Sequence, residues 1–177
     1  EGLADYILAQ NATEEIEAEA AKYVSEEKEV KDTKQAIQGA MDIIAEDISD
    51  NADIRRRLRN LFTVLGVVNV KASDETAQSV YEQYYDFSQP VDKIAGHRVL
   101  ALNRGEKEKI LTVKIIAPVD RILLFLETKT ITNDNPYTTP VLKEVVADSY
   151  ERLIAPAIER EIRNDLTEKA EDGAITV

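Results

Sequence analysis

The side chains best suited to chemistry in this sequence are closely spaced arginines in its first half. They are Arg55, Arg56, Arg57 and Arg59. Guanidinium groups bind phosphates through paired hydrogen bonds, so a helix that carries several of them is a candidate phosphate-binding element. More basic residues follow later in the chain, namely Arg98, Arg104, Lys107 and Lys109. These eight residues are our candidate nucleic-acid-binding set, and the alternative is that they pair with acidic side chains of the same chain.

Catalytic and metal-binding motifs are not found in the sequence. The chain has no cysteine and a single histidine, His97, so it lacks the side chains for thiolate sites, histidine clusters and a serine–histidine–aspartate triad. We interpret His97 as a helix N-cap or as a hydrogen-bonding residue at the edge of the core. The glycines stand singly and form no phosphate-binding loop. We therefore expect no enzymatic activity, no metal ion and no cofactor.

Charge is distributed unevenly along the 177 residues. The formal net charge is −12, yet residues 54–123 carry twelve basic against eight acidic side chains. An acidic chain opposes unspecific binding of nucleic acid, because attraction to phosphates supplies most of that affinity. The basic middle stretch leaves one local binding face possible.

Two successive amphipathic helices are the clearest structural pattern. From Thr33 to Ile48 apolar residues recur at intervals of three and four, which is typical of a helix with one buried face. A second helix follows the turn Ser49–Asn51 and ends at Gly66, a residue common just beyond a helix C-terminus. The pair has helix-turn-helix dimensions. An ordinary helical hairpin, whose arginines pair with acids of the first helix, fits the same pattern.

The middle of the chain has a mixed pattern. Val67–Lys71 and Ile110–Ile116 are short and β-branched, and we predict that they pair as two strands. Residues 75–87 are predicted to form a helix with an aromatic face, which Ser88–Pro90 breaks. A short helix is predicted from His97 to about Gly105.

The last part of the chain is predicted to be helical. Pro118 suits the first turn of a helix that continues to Leu126. Thr139 begins a long helix whose apolar period extends to Leu166. Pro156 should kink or break this helix, because proline removes one backbone hydrogen bond and clashes with the preceding turn.

Together these patterns predict a mainly α fold with a minor β part. We expect a helical, bundle-like module with a helix-turn-helix-like hairpin, a small two-stranded β element and a long kinked C-terminal helix. The module spans residues 1–177, with a hairpin part over 1–66, a mixed part over 67–136 and the C-terminal helix over 137–177. No apolar run has the length of a membrane span and no secretory signal is visible, so we expect a cytoplasmic protein with no membrane partner.

Residues 85–105 have the sequence YDFSQPVDKIAGHRVLALNRG. This stretch resembles the most specific motif of the Tex family, which consists of bacterial transcription accessory proteins. Residues 36–46, AIQGAMDIIAE, look like one of its helices, and the arginine-rich stretches 55–59 and 159–163 match in kind. Gln89 stands where the family more often has an acid, and Gly96 where a polar residue or proline is common.

The resemblance implies that the chain is the helical N-terminal region of a multi-domain RNA-binding protein. Such proteins also have an RNase-H-like domain, helix-hairpin-helix elements and a C-terminal RNA-binding domain of the S-one type, all of which we expect to be absent from this chain. The implied partners are the other domains of the full-length protein, RNA or DNA bound by that protein, and the transcription machinery. Two functions follow: a non-catalytic scaffold that positions the nucleic-acid-binding domains, or a weak direct contact through the arginine-rich helix 54–60.

Overall fold

Helices form most of the computed structural model, which describes residues 1–26 and 28–176. The helices are α1 (Gly2–Ala9), α2 (Ile16–Ala20), α3 (Thr33–Asp50), α4 (Ala52–Leu65), α5 (Gly96–Lys107), α6 (Val119–Thr130), α7 (Thr139–Asp148) and α8 (Ala155–Thr176). The strands are β1 (Val67–Ala72), β2 (Asp86–Pro90) and β3 (Leu111–Ile116). The predicted mainly α fold with a minor β part is confirmed. No helix of the described residues is long and apolar enough to cross a membrane.

The chain divides into two compact units, each built from two stretches that are distant in sequence. Unit 1 comprises Glu1–Arg55 and Val119–Ala155, and unit 2 comprises Arg56–Pro118 and Pro156–Val177. The parts predicted from the sequence, with boundaries after residues 66 and 136, are each one continuous stretch, whereas each unit of the structure combines two separate stretches. Each unit therefore requires contacts that hold its early stretch to its late one.

Helix α3 is the central element of unit 1. It packs against α1, α2 and α7. Its buried face includes Ala40, Ile44 and Ile48, spaced four residues apart as the sequence predicts. The helix starts where the side chain of Asp32 accepts a hydrogen bond from the backbone N–H of Gln35 at 2.8 Å, which satisfies one donor of the first turn.

Gln10 joins the two stretches of unit 1. Its backbone adopts the left-handed conformation, with φ 57°, and ends α1. Its side-chain amide donates to the carbonyl of Thr130 at 2.8 Å, and its Oε1 accepts from the backbone N–H groups of Thr132 at 2.9 Å and Asn133 at 3.0 Å. The residue is 4% exposed, so these bonds replace the water that burial removes.

The small sheet of unit 2 is antiparallel, with β1 between β2 and β3. Val68 lies opposite Ile115 of β3 and Gln89 of β2. The predicted pairing of the first and last strands is confirmed. Along β3 the residues Leu111, Val113 and Ile115 are buried and those between them are exposed, the alternation expected of a strand with one covered face.

The helix predicted over residues 75–87 is wrong. Within that range the structure has a 3₁₀ turn, Glu82–Tyr84, and the start of β2, so the β element has three strands rather than two. Tyr84 and Phe87 pack edge to face, with ring centres 5.2 Å apart, across the turn-to-strand junction. The spacing of aromatic residues in this stretch is therefore compatible with a turn followed by a strand as well as with a helix, which explains why the prediction was wrong. Pro90 ends β2 and is tolerated there because β2 is an edge strand.

The two predicted consecutive helices are present as α3 and α4, with only Asn51 between them. The side chain of Asn51 accepts from the backbone N–H of Ile54 at 3.0 Å and so caps the start of α4. The helix-turn-helix geometry stays a prediction, because α3 belongs to unit 1 and α4 belongs to unit 2 from Arg56 onward.

The long C-terminal helical stretch is interrupted before Pro156. Between α7 and α8 the residues Ser149–Ile154 form a π-helical segment, and Pro156 is the second residue of α8. A π-helical turn changes the hydrogen-bond spacing, and such turns accompany breaks of α geometry near proline. The interruption predicted at Pro156 is thus present.

The helix end at Gly66 offers a test of packing. A Cβ atom at residue 66 would lie 2.1 Å from the carbonyl oxygen of Phe62, so we expect Gly66→Ala to lower the free energy of unfolding by roughly 1–3 kcal/mol. Gly39 is the matched control, because a Cβ there meets nothing within 4 Å. Gly39→Ala should be neutral or stabilising by up to about 1 kcal/mol, since alanine favours the helix. Urea unfolding followed by circular dichroism measures both, and equal effects would contradict the packing argument.

Candidate nucleic-acid interface

The eight residues of the candidate nucleic-acid-binding set lie on two helices and one turn. Helix α4 carries Arg55, Arg56, Arg57 and Arg59, and α5 carries Arg98, Arg104 and Lys107. Lys109 lies in the turn before β3 and has a left-handed backbone, with φ 64°. Arg55 belongs to unit 1, and the other seven residues belong to unit 2.

Two arginines of α4 are held by contacts within their own unit. Arg55 donates from Nε to the carbonyl of Ser49 at 2.5 Å and from Nη2 to the hydroxyl of Ser49 at 2.7 Å. Arg59 donates from Nη1 to Oε2 of Glu161 on α8 at 3.1 Å. Arg56 and Arg57 are exposed. Arg59 thus pairs with an acid of the same chain, as the alternative to nucleic-acid binding predicts, although Glu161 lies on α8 and not on α3, whereas the two bonds of Arg55 go to a serine.

Arg98 also has a partner within unit 2. Its guanidinium carbon lies 5.4 Å from the centre of the Phe87 ring, a distance at which a cation is attracted to the face of an aromatic ring. Phe87 belongs to β2 and Arg98 to the first turn of α5. This contact helps to fix α5 against the sheet.

The C-terminal end of α5 keeps an exposed group of cations. Arg104, Lys107 and Lys109 are exposed. The two acids interspersed among them are engaged elsewhere, Glu106 with Arg163 on α8 and Glu108 with the hydroxyl of Tyr81. The hydrogen bond to Glu108 raises the pKa of Tyr81 above its usual value and burial acts in the same direction, while the neighbouring guanidinium of Arg104 opposes them. Glu106 is neutralised by Arg163, whereas Glu108 keeps its charge because the tyrosine hydroxyl is neutral. The end of α5 therefore has more positive than negative charge, and cations are also favourable at the C-terminus of a helix.

A network centred on Arg163 was not predicted from the sequence. Arg163 donates from Nη2 to Oε1 of Glu106 at 2.6 Å and from Nη1 to Oε2 at 3.1 Å, the paired geometry of a strong guanidinium–carboxylate contact. Nη2 also donates to Oδ1 of Asn103 at 3.0 Å, and the amide of Asn103 donates to Thr167 at 2.8 Å. The Arg163 side chain is only 19% exposed. Its sequence signal is weak, because one arginine among many on a charged helix does not reveal its partner.

Helix α8 also reaches the sheet of unit 2. Oε1 of Glu159 accepts a hydrogen bond from the backbone N–H of Ile115 at 3.0 Å. Because β3 is an edge strand, this N–H would otherwise have no ladder partner. Side chains of α8 thus bind both α5 and β3.

His97 does not cap α5. The N-cap position is Ala95, no side chain caps the helix there, and His97 is exposed in the first turn. The N-cap interpretation of His97 is therefore wrong. Among residues 1–26 and 28–176, no group of three or more histidines, cysteines or acids is arranged to hold a metal ion.

Comparison with known proteins points to one family. The family described as Tex central region-like matches residues 11–177. The YdcI protein of Bacillus subtilis is 46% identical over 180 residues, which cover 100% of this chain and 25% of that protein. Protein tex of Bordetella pertussis is 35% identical over 117 residues, 65% of this chain and 15% of that protein. The human S1 RNA-binding domain-containing protein 1 is 29% identical over 151 residues, 77% of this chain and 15% of that protein. The chain thus spans a quarter or less of the length of these relatives.

Arg163 and Arg59, each paired with an acid of unit 2, allow a matched comparison. Arg163→Ala should lower the free energy of unfolding by about 1–3 kcal/mol, because it leaves Asn103 and the half-buried Glu106 without their charged donor. Arg59→Ala removes the same group from a pair whose side chains are 43% and 40% exposed, so the cost should be about 0–1 kcal/mol. Arg163→Lys should restore little, because an ammonium cannot make the paired bonds. Chemical unfolding of the three variants checks the order, and an equal cost for both alanine variants would contradict it.

Proposed function

Because the chain belongs to the Tex central region-like family, we propose that it is a non-catalytic scaffold segment of a Tex-like transcription accessory protein. The family predicted from the sequence is confirmed, although the matching family is described as a central region where the resemblance implied the N-terminal one. In this proposal the segment positions the RNA- or DNA-binding domains of the full-length protein.

The observation that carries the proposal is that several charged side chains form contacts between the secondary-structure elements of unit 2. Arg163 and Glu159 attach α8 to α5 and β3. Arg59 and Arg98, which could otherwise meet phosphates, contact Glu161 and Phe87. A segment that holds domains at fixed positions needs such rigid internal connections more than it needs exposed cations.

The names of two relatives supply the wider setting. One is a Tex protein, and the other is named for an S1 RNA-binding domain. We extend this setting to the present chain, with other domains of the same polypeptide, the RNA or DNA that they bind, and the transcription machinery as partners. In this proposal the nucleic-acid-binding domains belong to the remainder of the full-length protein, since this chain spans a small fraction of both relatives.

A weak direct contact with nucleic acid is the second candidate. It is favoured by Arg104, Lys107 and Lys109, which are exposed while Glu106 and Glu108 between them are engaged elsewhere. Exposed Arg56 and Arg57 of the arginine-rich helix 54–60 belong to the same hypothesis. Attraction to phosphates would supply its affinity, and added salt would weaken it.

The two candidates predict opposite responses in the full-length protein. Gly66→Ala changes no charge but disturbs the end of α4, so a scaffold predicts RNA binding weaker by about 0.5–2 kcal/mol. A triple variant, Arg104→Ala with Lys107→Ala and Lys109→Ala, should then bind RNA as the parent does. Fluorescence anisotropy with labelled single-stranded RNA and duplex DNA, across a salt series, measures both variants.

A second triple variant controls for net charge. Lys93→Ala with Lys114→Ala and Arg160→Ala removes the same charge from other exposed positions of unit 2. Direct contact predicts that only the first triple variant weakens binding and flattens the salt dependence, by about 0.7 in logarithmic slope for each lost phosphate contact to a single strand. That result, together with normal binding by Gly66→Ala, would overturn the scaffold proposal.

A further inference from the structure

A groove in unit 2 has no role in either candidate function. It has a volume of about 400 Å³ and lies between α8 and the segment that links β2 to α5. Its apolar lining includes Val91, Val99 and Ile162, which are buried, and Ile94 and Leu166, which are partly exposed. A groove of this size that combines apolar side chains with polar ones is within the range of binding sites.

The rim of the groove is acidic. Asp92 stands on one wall, and Asp165 and Glu168 stand on α8, all three exposed. Within residues 1–26 and 28–176 none of these three carboxylates takes part in a salt bridge, in contrast to the acids bound by Arg59 and Arg163. A single cation, Lys169, accompanies them on the rim. The groove therefore presents negative charge that its own unit does not neutralise.

The charges and the apolar side chains form parallel rows along α8. The apolar row is Ile162, Leu166 and Ala170, and Asp165 and Glu168 stand beside it. Residues three and four apart share a face of a helix, so the apolar row is continuous, the two acids share a face, and Lys169 lies between them and Leu166. The two acids are about 5 Å apart along the helix axis, or one helical turn. A partner helix that carries aliphatic residues on one face and lysines or arginines beside them would have side chains at the same spacing.

Helix α5 closes against α8 beside these rows. A Cβ atom at Gly96 would lie 3.2 Å from the Cα atom of Ala170, and both residues line the groove. The two helices are thus already in contact there, and Leu166 and Ile94, which also line the groove, are partly exposed.

We propose that this groove binds a basic amphipathic segment of a partner protein, with an aliphatic side chain on its floor and lysines or arginines at its rim. Charge complementarity identifies this occupant, because the rim repels the phosphates of nucleic acid. A divalent cation does not fit, since the carboxylates are spread along the rim and no metal-ligand cluster occurs among the described residues. Complementary charges of this kind set the orientation of a partner and its rate of association.

The proposal is tested with the chain and a labelled synthetic peptide. The probe is a helical peptide with leucines one turn apart on one face and lysines beside them. Fluorescence anisotropy should show saturable binding that weakens as salt rises, because the contacts at the rim are exposed ion pairs. A peptide with serines in place of the leucines should bind more weakly, and a peptide with glutamates in place of the lysines should not bind.

Two charge-matched variants locate the site. Asp92→Asn with Asp165→Asn and Glu168→Gln should weaken binding about tenfold, since three exposed ion pairs are lost while the side-chain shapes are kept. Glu46→Gln with Asp47→Asn and Asp50→Asn removes the same charge from exposed positions of α3 in unit 1 and should leave the affinity unchanged. Circular dichroism checks that both variants are folded.

Three results would overturn the proposal. The first is no binding of the lysine–leucine peptide at low salt, and the second is equal loss in both triple variants. The third is concentration-dependent self-association of the chain, seen by sedimentation and abolished by the groove variant, which would assign the groove to a second copy. None of these outcomes depends on the scaffold proposal, which concerns RNA binding by the full-length protein.

Discussion

The contact of Arg163 with Glu106 is the interaction on which unit 2 depends. These residues are 57 positions apart in sequence, and their paired hydrogen bonds of 2.6 and 3.1 Å join the late stretch of the unit to the early one. The chain has no cysteine, so no disulfide can make such a connection. In unit 1 Gln10 has the same role, because its side-chain amide forms hydrogen bonds with the backbone of residues 130–133, about 120 positions later in the sequence. Both units are discontinuous, and each is joined by a polar side chain with little exposure.

These polar contacts supply what apolar burial alone does not. Side chains such as Leu58, Phe62 and Ile158 provide the main stabilisation of unit 2, but attraction between apolar surfaces is non-directional. A helix such as α8 could slide or rotate over an apolar surface at small cost. The bonds from Arg163 to Asn103 and from Ile115 to Glu159 hold in one register only, because hydrogen bonds require a fixed distance and angle. They thus select one arrangement among those that apolar packing permits.

Elements with local sequence signals were predicted correctly from the sequence, whereas those recognisable only through long-range contacts were not. Helices α3 and α4 and strands β1 and β3 were predictable, because their signals are periodic and local. Strand β2 was not, since the aromatic spacing around Tyr84 and Phe87 also suited a helix and pairing with β1 is a long-range contact. For the candidate interface, the sequence identified which residues are basic but not their partners. Arg98 over Phe87 and Arg59 beside Glu161 depend on tertiary structure.

Pairing also decides which charges of unit 2 remain available to other molecules. At the C-terminal end of α5, the pairing of Glu106 with Arg163 leaves three exposed cations, Arg104, Lys107 and Lys109, beside one exposed acid, Glu108. On α8 the side chain of Arg163 is paired with Glu106 of α5, whereas Asp165 and Glu168 are exposed at the groove. The ion pair of Arg163 with Glu106 thus neutralises an acid beside the exposed cations of α5, while the acids of the groove lie on another face of α8. The net charge of −12 conceals this separation, and local pairing rather than composition determines which partners each surface can attract.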